Sequence, residues 1–558
     1  MTEPQPPQTA PAPPVPPQPT PYPTAPTGYP AYAVPPAPAV ARPSGGVFVV
    51  VGLALLGPAL LALLLAYVVP TIGSIVESFQ RKSPFGNRPA ENVGLDNYQA
   101  LFEGNFGSAL GFTLLVAVPL VLTVVVAGPV VAWLAHRSGD VGRRVTRVAL
   151  VPLLVLFSPV AVAAAWFAAD RTDVLRDSPQ LGVTWITWAI LFGALLAVSV
   201  TVFLPVLRRR ADEPRAWTAA IAVGALLGIA GLAYGLQVFD LPYVLTRGGR
   251  GTATLLANAF ADTFMQFDLG GGAAMLTLVG IPLALLGVAA VLLVAFSGLR
   301  ARWAPDAGRP TSPLASAAVI VVLLGCLAVV AYALWPWFGA FGGDTPSRFD
   351  AGRVAVNTWL PPLISTVVGV ALAALAGFGI GALRPLGRFS ELLLLPFAPW
   401  LFVTPAVQAF GAFEAQRDGG TLNTLASLIP PVWINIPALV LFTVLFRGLS
   451  LDWRAGRASL GAVIVPALPM AAVAVLATWL INAQSLMWPF VFANNVDRFT
   501  GPIAVYQVWL SIRGESLPVG LALPIAAIVA FALAVGALQW FYLDKLAIRA
   551  GRGDDGPA

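Results

Sequence analysis

Residues 47–69 read VFVVVGLALLGPALLALLLAYVV, a stretch without a charged side chain. A helix needs about 20 apolar residues to cross the hydrocarbon core of a bilayer, so this stretch is long enough to span a membrane. Similar stretches recur along the chain and predict an all-α integral membrane protein with about 12 transmembrane helices. The predicted spans are residues 47–69, 108–135, 148–168, 183–206, 218–238, 273–298, 315–338, 357–383, 391–412, 425–446, 460–482 and 519–543.

The composition excludes a water-soluble protein. Of the 558 residues, 58% are hydrophobic and only 10% are charged, against roughly 25% charged residues in an ordinary soluble domain. The mean hydropathy is +0.80. So few charges cannot cover a surface that faces water, and soluble enzymes are therefore excluded as a class.

Reactive side chains are too scarce for an enzyme or a metal site. The single cysteine, Cys326, and the single histidine, His136, exclude an internal disulfide, a thiolate metal cluster and a two-histidine metal site. Neither Lys82 nor Lys545 follows the glycine-rich turn of a phosphate-binding loop. We therefore predict that the chain is not an enzyme, holds no cofactor or metal, and relies on a partner for any ATP hydrolysis.

The basic residues indicate the orientation in the membrane. Most of the 32 lysines and arginines fall in the segments that 12 spans place on the same side as both termini. The positive-inside rule assigns that side to the cytoplasm. The net charge of +6 is thus interpreted as a topology signal of a multi-pass protein in a bacterial plasma membrane, and not as a nucleic-acid-binding patch.

The predicted spans contain no ionisable residue apart from those at their ends. Asp240 and Glu391 are the nearest, and both lie at span ends. An ion-coupled carrier usually needs a buried ionisable group to bind and release its coupling ion. The pattern therefore counts against such a carrier and favours an external energy source.

Composition also predicts the domain organisation. Residues 1–43 are rich in proline and predict a disordered cytoplasmic tail. The polar stretch 299–314 divides the remaining chain into six spans plus six, as in transporters built from two parallel repeats. The predicted units are a first half at 44–298, a cytoplasmic linker at 299–314, a second half at 315–545 and a cytoplasmic tail at 546–558.

Short motifs between the spans resemble those of a known transporter family. The first-half motifs are Ser78-Phe79, VGLDNYQAL at 93–101 and LQVFDLPYVLTRGG at 236–249. The second-half motifs are Asn357-Thr358, TLNT at 421–424, LMWP at 486–489 and TGPIAV at 500–505. In order and spacing, the chain resembles the two membrane permease subunits of binding-protein-dependent ABC importers for sugars, of the maltose, trehalose and glycerol-phosphate type, joined in one polypeptide.

The resemblance implies function and partners. It implies a permease that moves a sugar or sugar-like solute, with ATP hydrolysed by separate cytoplasmic ATPase subunits. An extracellular solute-binding protein would hand the solute over at the outer loop 239–272. By the resemblance, the candidate contacts for that protein are Asp240, Thr246, Gly248 and Gly249, although a flexible connector is an equal interpretation of this loop.

The loops that would bind the ATPase depart from the family pattern. Each subunit of that family has a cytoplasmic Glu-Ala-Ala…Gly loop, whereas the loop at 207–217 has no glycine and the loop at 451–459 keeps only Gly456. Either the loops couple to the ATPase through different contacts, or the coupling to the ATPase is altered or lost. The candidate coupling residues are Arg208, Arg209, Arg210, Asp212, Glu213, Asp452, Arg454, Gly456 and Arg457.

A solute path needs polar groups within the membrane, and neutral amides and aromatic rings suit the hydroxyls and ring faces of a sugar. A hydrogen bond between helices is the alternative role for each amide. Two other functions stay open, namely an ion-coupled secondary transporter and a permease-derived membrane scaffold or regulator with degenerate coupling loops. The candidate path residues are Gln408, Asn435, Asn482, Gln484, Trp479 and Trp488.

Overall fold

A computed structural model describes residues 45–82, 90–169, 174–208, 216–303, 311–511 and 516–551. The predicted tail at 1–43 lies outside these residues, as do positions 304–310 of the predicted linker and the chain from 552 onward. The described part is mostly helical, with two short two-stranded ribbons. This confirms the predicted all-α membrane fold.

The described residues contain ten helices that are long and apolar enough to span a membrane. Two helix pairs, bent by 72° and 68°, bring the number to 12 when each pair counts as one span. In chain order, spans 1 to 12 are Gly46–Glu77, Phe106–Arg137, the pair Gly139–Val155 and Pro159–Ala168, Pro179–Leu207, Trp217–Thr246, Leu269–Ser297, Pro313–Gly342, Ala351–Leu383, the pair Gly387–Trp400 and Pro405–Asp418, Ile436–Arg454, Gly461–Ala483, and Ile525–Lys545.

Shorter elements connect the spans. The helices outside the spans are Asp96–Glu103, Val174–Asp177, Leu255–Phe260, Met487–Phe492, Gly501–Leu510 and Val519–Ala522. The strands are β1 (Gln80–Arg81), β2 (Glu91–Asn92), β3 (Arg300–Trp303) and β4 (Leu546–Arg549).

Two predicted span boundaries are wrong. Span 10 begins at Ile436 and not near 425, because the pair Pro430-Pro431 lacks the backbone N–H groups that a helix needs. Span 12 begins at Ile525, after Pro524, and the preceding residues 519–522 form a separate short helix. The pair Pro361-Pro362, by contrast, lies inside the continuous helix Ala351–Phe378.

The prediction that ionisable residues lie only at span ends is also wrong. Span 5 extends to Thr246 as a broken helix, which places Asp240 inside the candidate span. Glu391 lies within the first helix of span 9 and is 2% exposed. The apolar run ends at these residues, but the helical segment does not, since a helix continues wherever its polar groups find partners in the protein.

The first set of six spans and the second set are interleaved at their ends. Span 1 packs on the second set, where the Tyr67 hydroxyl donates to the carbonyl oxygen of Ile434 at 3.2 Å. Span 7 packs on the first set, where the Trp166 indole N–H donates to the carbonyl oxygen of Ala333 at 2.7 Å. Each set therefore holds the first span of the other.

A ribbon of β3 and β4 joins the two sets again. β3 follows span 6 and β4 follows span 12, and the strands pair antiparallel with Ala301 opposite Ile548. β3 lies against span 10, where Gly448 allows close contact because a Cβ there would stand 1.7 Å from the carbonyl oxygen of Ala301. β4 lies against span 4.

Two buried ion clusters lie at the arginine-rich end of the bundle. In the Asp544 cluster, the carboxylate of Asp544 binds Arg143, Arg144 and Arg147 from the first helix of span 3. In the Glu391 cluster, the carboxylate of Glu391 lies 3.2 Å from Arg384 Nη1 and 3.0 Å from Arg447 Nη1. Buried charges of this kind require such partners.

Candidate translocation site

Spans 3 and 9 are each broken at a hydroxyl residue followed by proline. The breaks fall at Ser158-Pro159 and at Thr404-Pro405, where each proline is the first residue of the next helix. A helix end leaves backbone N–H and C=O groups without intrahelical partners. Within a bilayer, other protein groups must satisfy them.

Gln237 supplies those partners at the break of span 9. Its Nε2 donates to the carbonyl oxygens of Phe402 and Ala233, both at 2.8 Å. Its Oε1 accepts from the backbone N–H and the hydroxyl of Thr404, both at 3.0 Å. Because Gln237 follows the long helix of span 5, a residue of the first set fixes a break in the second.

Gln484 makes the reverse connection. Its Oε1 accepts from the Ser158 hydroxyl at 2.7 Å, and its Nε2 donates to the carbonyl oxygen of Ala522 at 2.8 Å. Gln484 follows span 11 and is 1% exposed. A residue of the second set therefore contacts the break of span 3 in the first set.

Asp240 adds a third polar contact between the sets. Its Oδ2 accepts from the backbone N–H of Leu486 at 3.2 Å, just before the helix Met487–Phe492. We call Gln237, Asp240 and Gln484 the polar seam. The seam lies at corresponding points of both sets. In the first set, the helix that ends at Leu236 is followed by the short helix Asp240–Thr246, and in the second set the helix that ends at Ala483 is followed by Met487–Phe492.

Aromatic rings continue the contact between the sets beyond the seam. The ring of Phe490 lies 5.6 Å from that of Phe260 and 5.5 Å from that of Tyr506, measured between centroids. The ring of Tyr243 meets that of Phe260 edge-on at 5.2 Å and is tilted against that of Phe490 at 6.3 Å. The two sets are thus in direct side-chain contact at this level.

Three of the predicted path residues take part in helix packing. Asn435 caps span 10, with its Oδ1 accepting from the N–H of Ala438 at 2.9 Å. The indole N–H of Trp479 donates to the carbonyl oxygen of Trp359 at 2.8 Å, and that of Trp488 donates to Ser427 at 3.1 Å. Asn435 Nδ2 also donates to the Thr478 hydroxyl at 2.7 Å, a bond between spans 10 and 11 of the kind considered as the alternative role for the amides.

Gln408 and Asn482 are buried, and among the described residues Oε1 of Gln408 and Nδ2 of Asn482 have no hydrogen-bond partner. Gln408 lies at the wall of a cavity of about 230 Å³ that Tyr67, Thr71 and Trp400 also line. The structure therefore does not gather the six predicted path residues around one cavity. Gln484 is the member that joins the seam.

Sequence reasoning missed Gln237, Ser158 and Thr404. The signal was present, since FSP at 157–159 and VTP at 403–405 follow apolar runs at corresponding points of the two sets. Gln237 follows the first helix of span 5, which ends at Leu236, and Gln484 follows span 11, which ends at Ala483. Comparing the two sets residue by residue identifies all four.

The outer loop 239–272 contains the candidate contacts for a binding protein. Gly248 lies in an exposed turn with φ at +75°, and the N–H of Gly249 donates to the carbonyl oxygen of Thr246 at 2.9 Å. The turn is tied to span 4 by the Gln180 side chain, which donates to Gly251 at 2.9 Å. Asp240 differs from the others because it faces the second set.

Asp262 in the same loop is expected to make stability depend on pH. Burial, helped by the nearby charge of Asp268, raises the pKa of Asp262 to about 6. The folded state therefore binds the proton more tightly than the unfolded state, and the penalty for the charged form is fully present above pH 6. We expect Asp262→Asn to raise the melting temperature at pH 7.5, with a gain that shrinks at pH 5 and is lost near pH 4. A gain that does not vary with pH would contradict this assignment.

The second candidate coupling loop, at 451–459, contains a compact exposed turn. Span 10 ends in a Schellman motif in which the N–H of Gly456 donates to Trp453 at 2.9 Å and that of Arg457 donates to Asp452 at 2.8 Å. Gly456 has φ at +71°, which favours glycine. Arg454 lies in the last helical turn, and the fully described stretch 455–460 contains no helix of its own.

The first coupling loop is described only at its start. Arg208 is buried at the end of span 4, with 8% exposure. Arg209, Arg210, Asp212 and Glu213 lie outside the described residues.

Comparison with known proteins gives one informative similarity. No family model matches the chain. The chain is 28% identical over 254 residues to the sulfoquinovosyl glycerol transport system permease protein SmoG of Agrobacterium fabrum (strain C58 / ATCC 33970), covering 40% of this chain and 82% of that protein. The chain is similar to a sugar transport permease. This supports the predicted resemblance to sugar permeases of ABC importers, and the aligned part amounts to less than half of the chain.

Proposed function

We propose that this chain is the permease of an ATP-driven importer, with two six-span permease halves fused in one polypeptide. It translocates a sugar or sugar-like solute that an extracellular binding protein delivers. Separate cytoplasmic ATPase subunits supply the energy. The observation that carries the proposal is the repetition of the same contacts in both sets of spans.

One repeated contact stands where spans 2 and 8 begin. The Thr113 hydroxyl accepts from the backbone N–H of Leu255 at 3.0 Å, and the Thr358 hydroxyl accepts from that of Gly501 at 2.8 Å. Both acceptors are buried. The crossed glutamines, the bent spans 3 and 9, and the strands after spans 6 and 12 repeat in the same order.

The length of the alignment with the similar permease is consistent with the proposed division into two halves. Its alignment covers most of that protein but only 40% of this chain, as expected if that permease corresponds to one half. Its name refers to a sugar glycoside of glycerol. We therefore propose a polyhydroxylated solute of this general class for the present chain.

The exposed turn 452–457 is the proposed contact with the ATPase. Asp452 and Arg457 form an ion pair with side chains 67% and 68% exposed, so both charges are accessible to a partner. The arginine-rich end of the bundle, which carries this turn, faces the cytoplasm by the positive-inside rule. Span 11, Gly461–Ala483, follows the turn along the chain and leads to Gln484.

An ion-coupled carrier is a second candidate, and Asp240 favours it. A carboxylate inside a membrane span is the kind of group that binds a coupling ion. Asp240 also accepts a hydrogen bond from Leu486, however, which gives it a structural role between the sets.

Purification and reconstitution test the proposal. The chain is isolated in mild detergent, co-purifying proteins are identified, and uptake of labelled sugars is measured in vesicles with and without ATP. We expect an ATPase to co-purify and uptake to require both ATP and a binding protein. Uptake by the chain alone under an ion gradient would establish the carrier, and neither ATPase nor uptake would favour the scaffold.

Charge reversal at the turn locates the contact. We expect the double variant Asp452→Lys, Arg457→Glu to lose the ATPase while its melting temperature stays unchanged, since exposed ion pairs contribute little to stability. The matched control reverses the exposed pair Arg353–Asp497 in the second set. Their side chains are 61% and 60% exposed, and both residues are far along the chain from the turn. An ATPase that remains bound after reversal at the turn would contradict the assignment.

A further inference from the structure

The two breaks in spans 3 and 9 are held from the opposite set, and this arrangement is reciprocal. Gln237 of the first set binds Thr404 in the second, and Gln484 of the second set binds Ser158 in the first. All four are at least partly buried in apolar surroundings, where a lost hydrogen bond leaves a polar group unpaired. Neither break can change its angle without stretching a bond to the other set.

Each glutamine directly follows the end of a long helical segment. The first helix of span 5 runs from Ala216 to Leu236, directly before Gln237. Span 11 runs from Gly461 to Ala483, directly before Gln484. In sequence, both segments follow the two loops to which the resemblance assigns coupling, so a displacement of a loop would reach a glutamine along a helical segment.

We propose that Gln237 and Gln484 are crossed positioning residues of the gate, each transmitting the movement of its own half to the bend of the third span in the other half. A push at the turn 452–457 moves span 11, and Gln484 transfers it to the bend of span 3. A push at the first loop moves span 5, and Gln237 transfers it to the bend of span 9. The two bends therefore change together. The role of these residues in a gate rests on the proposed function. The dependence of each bend on a glutamine of the other set does not.

The distance across each bend tests the proposal directly. The single native cysteine is first replaced by Cys326→Ser, and spin labels are attached to pairs of exposed sites. The pair Val145→Cys and Ala168→Cys reports the bend of span 3, and the pair Phe389→Cys and Ala415→Cys reports that of span 9. Pulsed electron spin resonance then gives the distance distribution in the full chain.

Each glutamine substitution is expected to change the distance across the bend in the opposite set of spans. Gln237→Leu broadens the distribution across span 9 and leaves span 3 unchanged, and Gln484→Leu does the reverse. Thr404→Val and Ser158→Ala, which remove the partner hydroxyls, reproduce the respective effects. As matched controls, Ser199→Ala and Thr443→Val remove buried hydroxyls whose bonds stay within one set and are expected to change neither distance.

Two outcomes would overturn the proposal. One is that each leucine variant changes the bend of its own set or both bends equally, as general destabilisation would. The other is that neither distance changes in a folded variant. Once a coupled ATPase is in hand, uptake per ATP hydrolysed is expected to fall by about tenfold in each leucine variant, the factor for one hydrogen bond. If ATP-driven uptake is absent altogether, the distances across the bends of spans 3 and 9 in the two leucine variants still test this proposal separately from the proposed function.

Discussion

Replacing Asp544 by asparagine is expected to lower the free energy of unfolding by about 3–5 kcal/mol, the usual effect of removing one partner from a buried ion pair. Asp544 is 1% exposed, and its oxygens lie 2.8 Å from Arg143 Nε and 3.0 Å from Arg144 Nε. Arg147 lies 3.5 Å away and is also buried. The variant leaves these guanidinium groups without their common counter-charge.

Asp452→Asn is the matched control for this prediction. Asp452 also pairs with an arginine, at 2.6 Å, but both side chains are about two-thirds exposed. Water solvates the remaining charge of Arg457, so we expect a change of less than about 1 kcal/mol. Unfolding in detergent is followed by tryptophan fluorescence for both variants. Equal losses of stability would show that burial does not determine the effect.

The number and order of the spans were predictable from sequence because apolar length alone determines which segments can cross a bilayer. The contacts between spans were not. Most spans are apolar all round and therefore show no face that indicates a neighbour. Arg143 and Asp544 belong to one cluster although most of the chain separates them, and neither local pattern nor composition relates the two.

The candidate site was predictable only in part, for a related reason. Gln484 was named from its position near the end of span 11, but its partner Ser158 lies within a predicted apolar span, where only comparison with the Thr404-Pro405 pair of the second set distinguishes it. Gln237 stood at the end of the predicted span 218–238 and Asp240 just beyond it, because hydropathy drops where the helix breaks. Broken helices in membranes place polar residues where hydropathy alone marks a loop.

Gly448→Ala is expected to produce the second large effect. An added Cβ would stand 1.7 Å from the carbonyl oxygen and 2.6 Å from the carbonyl carbon of Ala301. These are backbone atoms of β3, which pairs along its length with β4, so the strand cannot move without disturbing the ribbon. Overpacking by one methyl group usually costs about 1–3 kcal/mol, and we expect a loss at or above the upper end.

The control for this prediction is a second helix glycine, Gly325, which differs from Gly448 in the space around an added Cβ. Gly325 in span 7 has no atom within 4 Å of an added Cβ. Gly325→Ala is therefore expected to be neutral or to stabilise by up to about 1 kcal/mol through helix propensity. Unfolding in detergent compares both variants with the parent chain. If Gly448→Ala unfolds like Gly325→Ala, the ribbon does not lie tightly against span 10, and the second connection between the two sets of spans would be loose. A loss confined to Gly448→Ala instead means that β3 stabilises span 10 directly before the exposed turn 452–457, so the ribbon sets the position of the segment that we propose binds the ATPase.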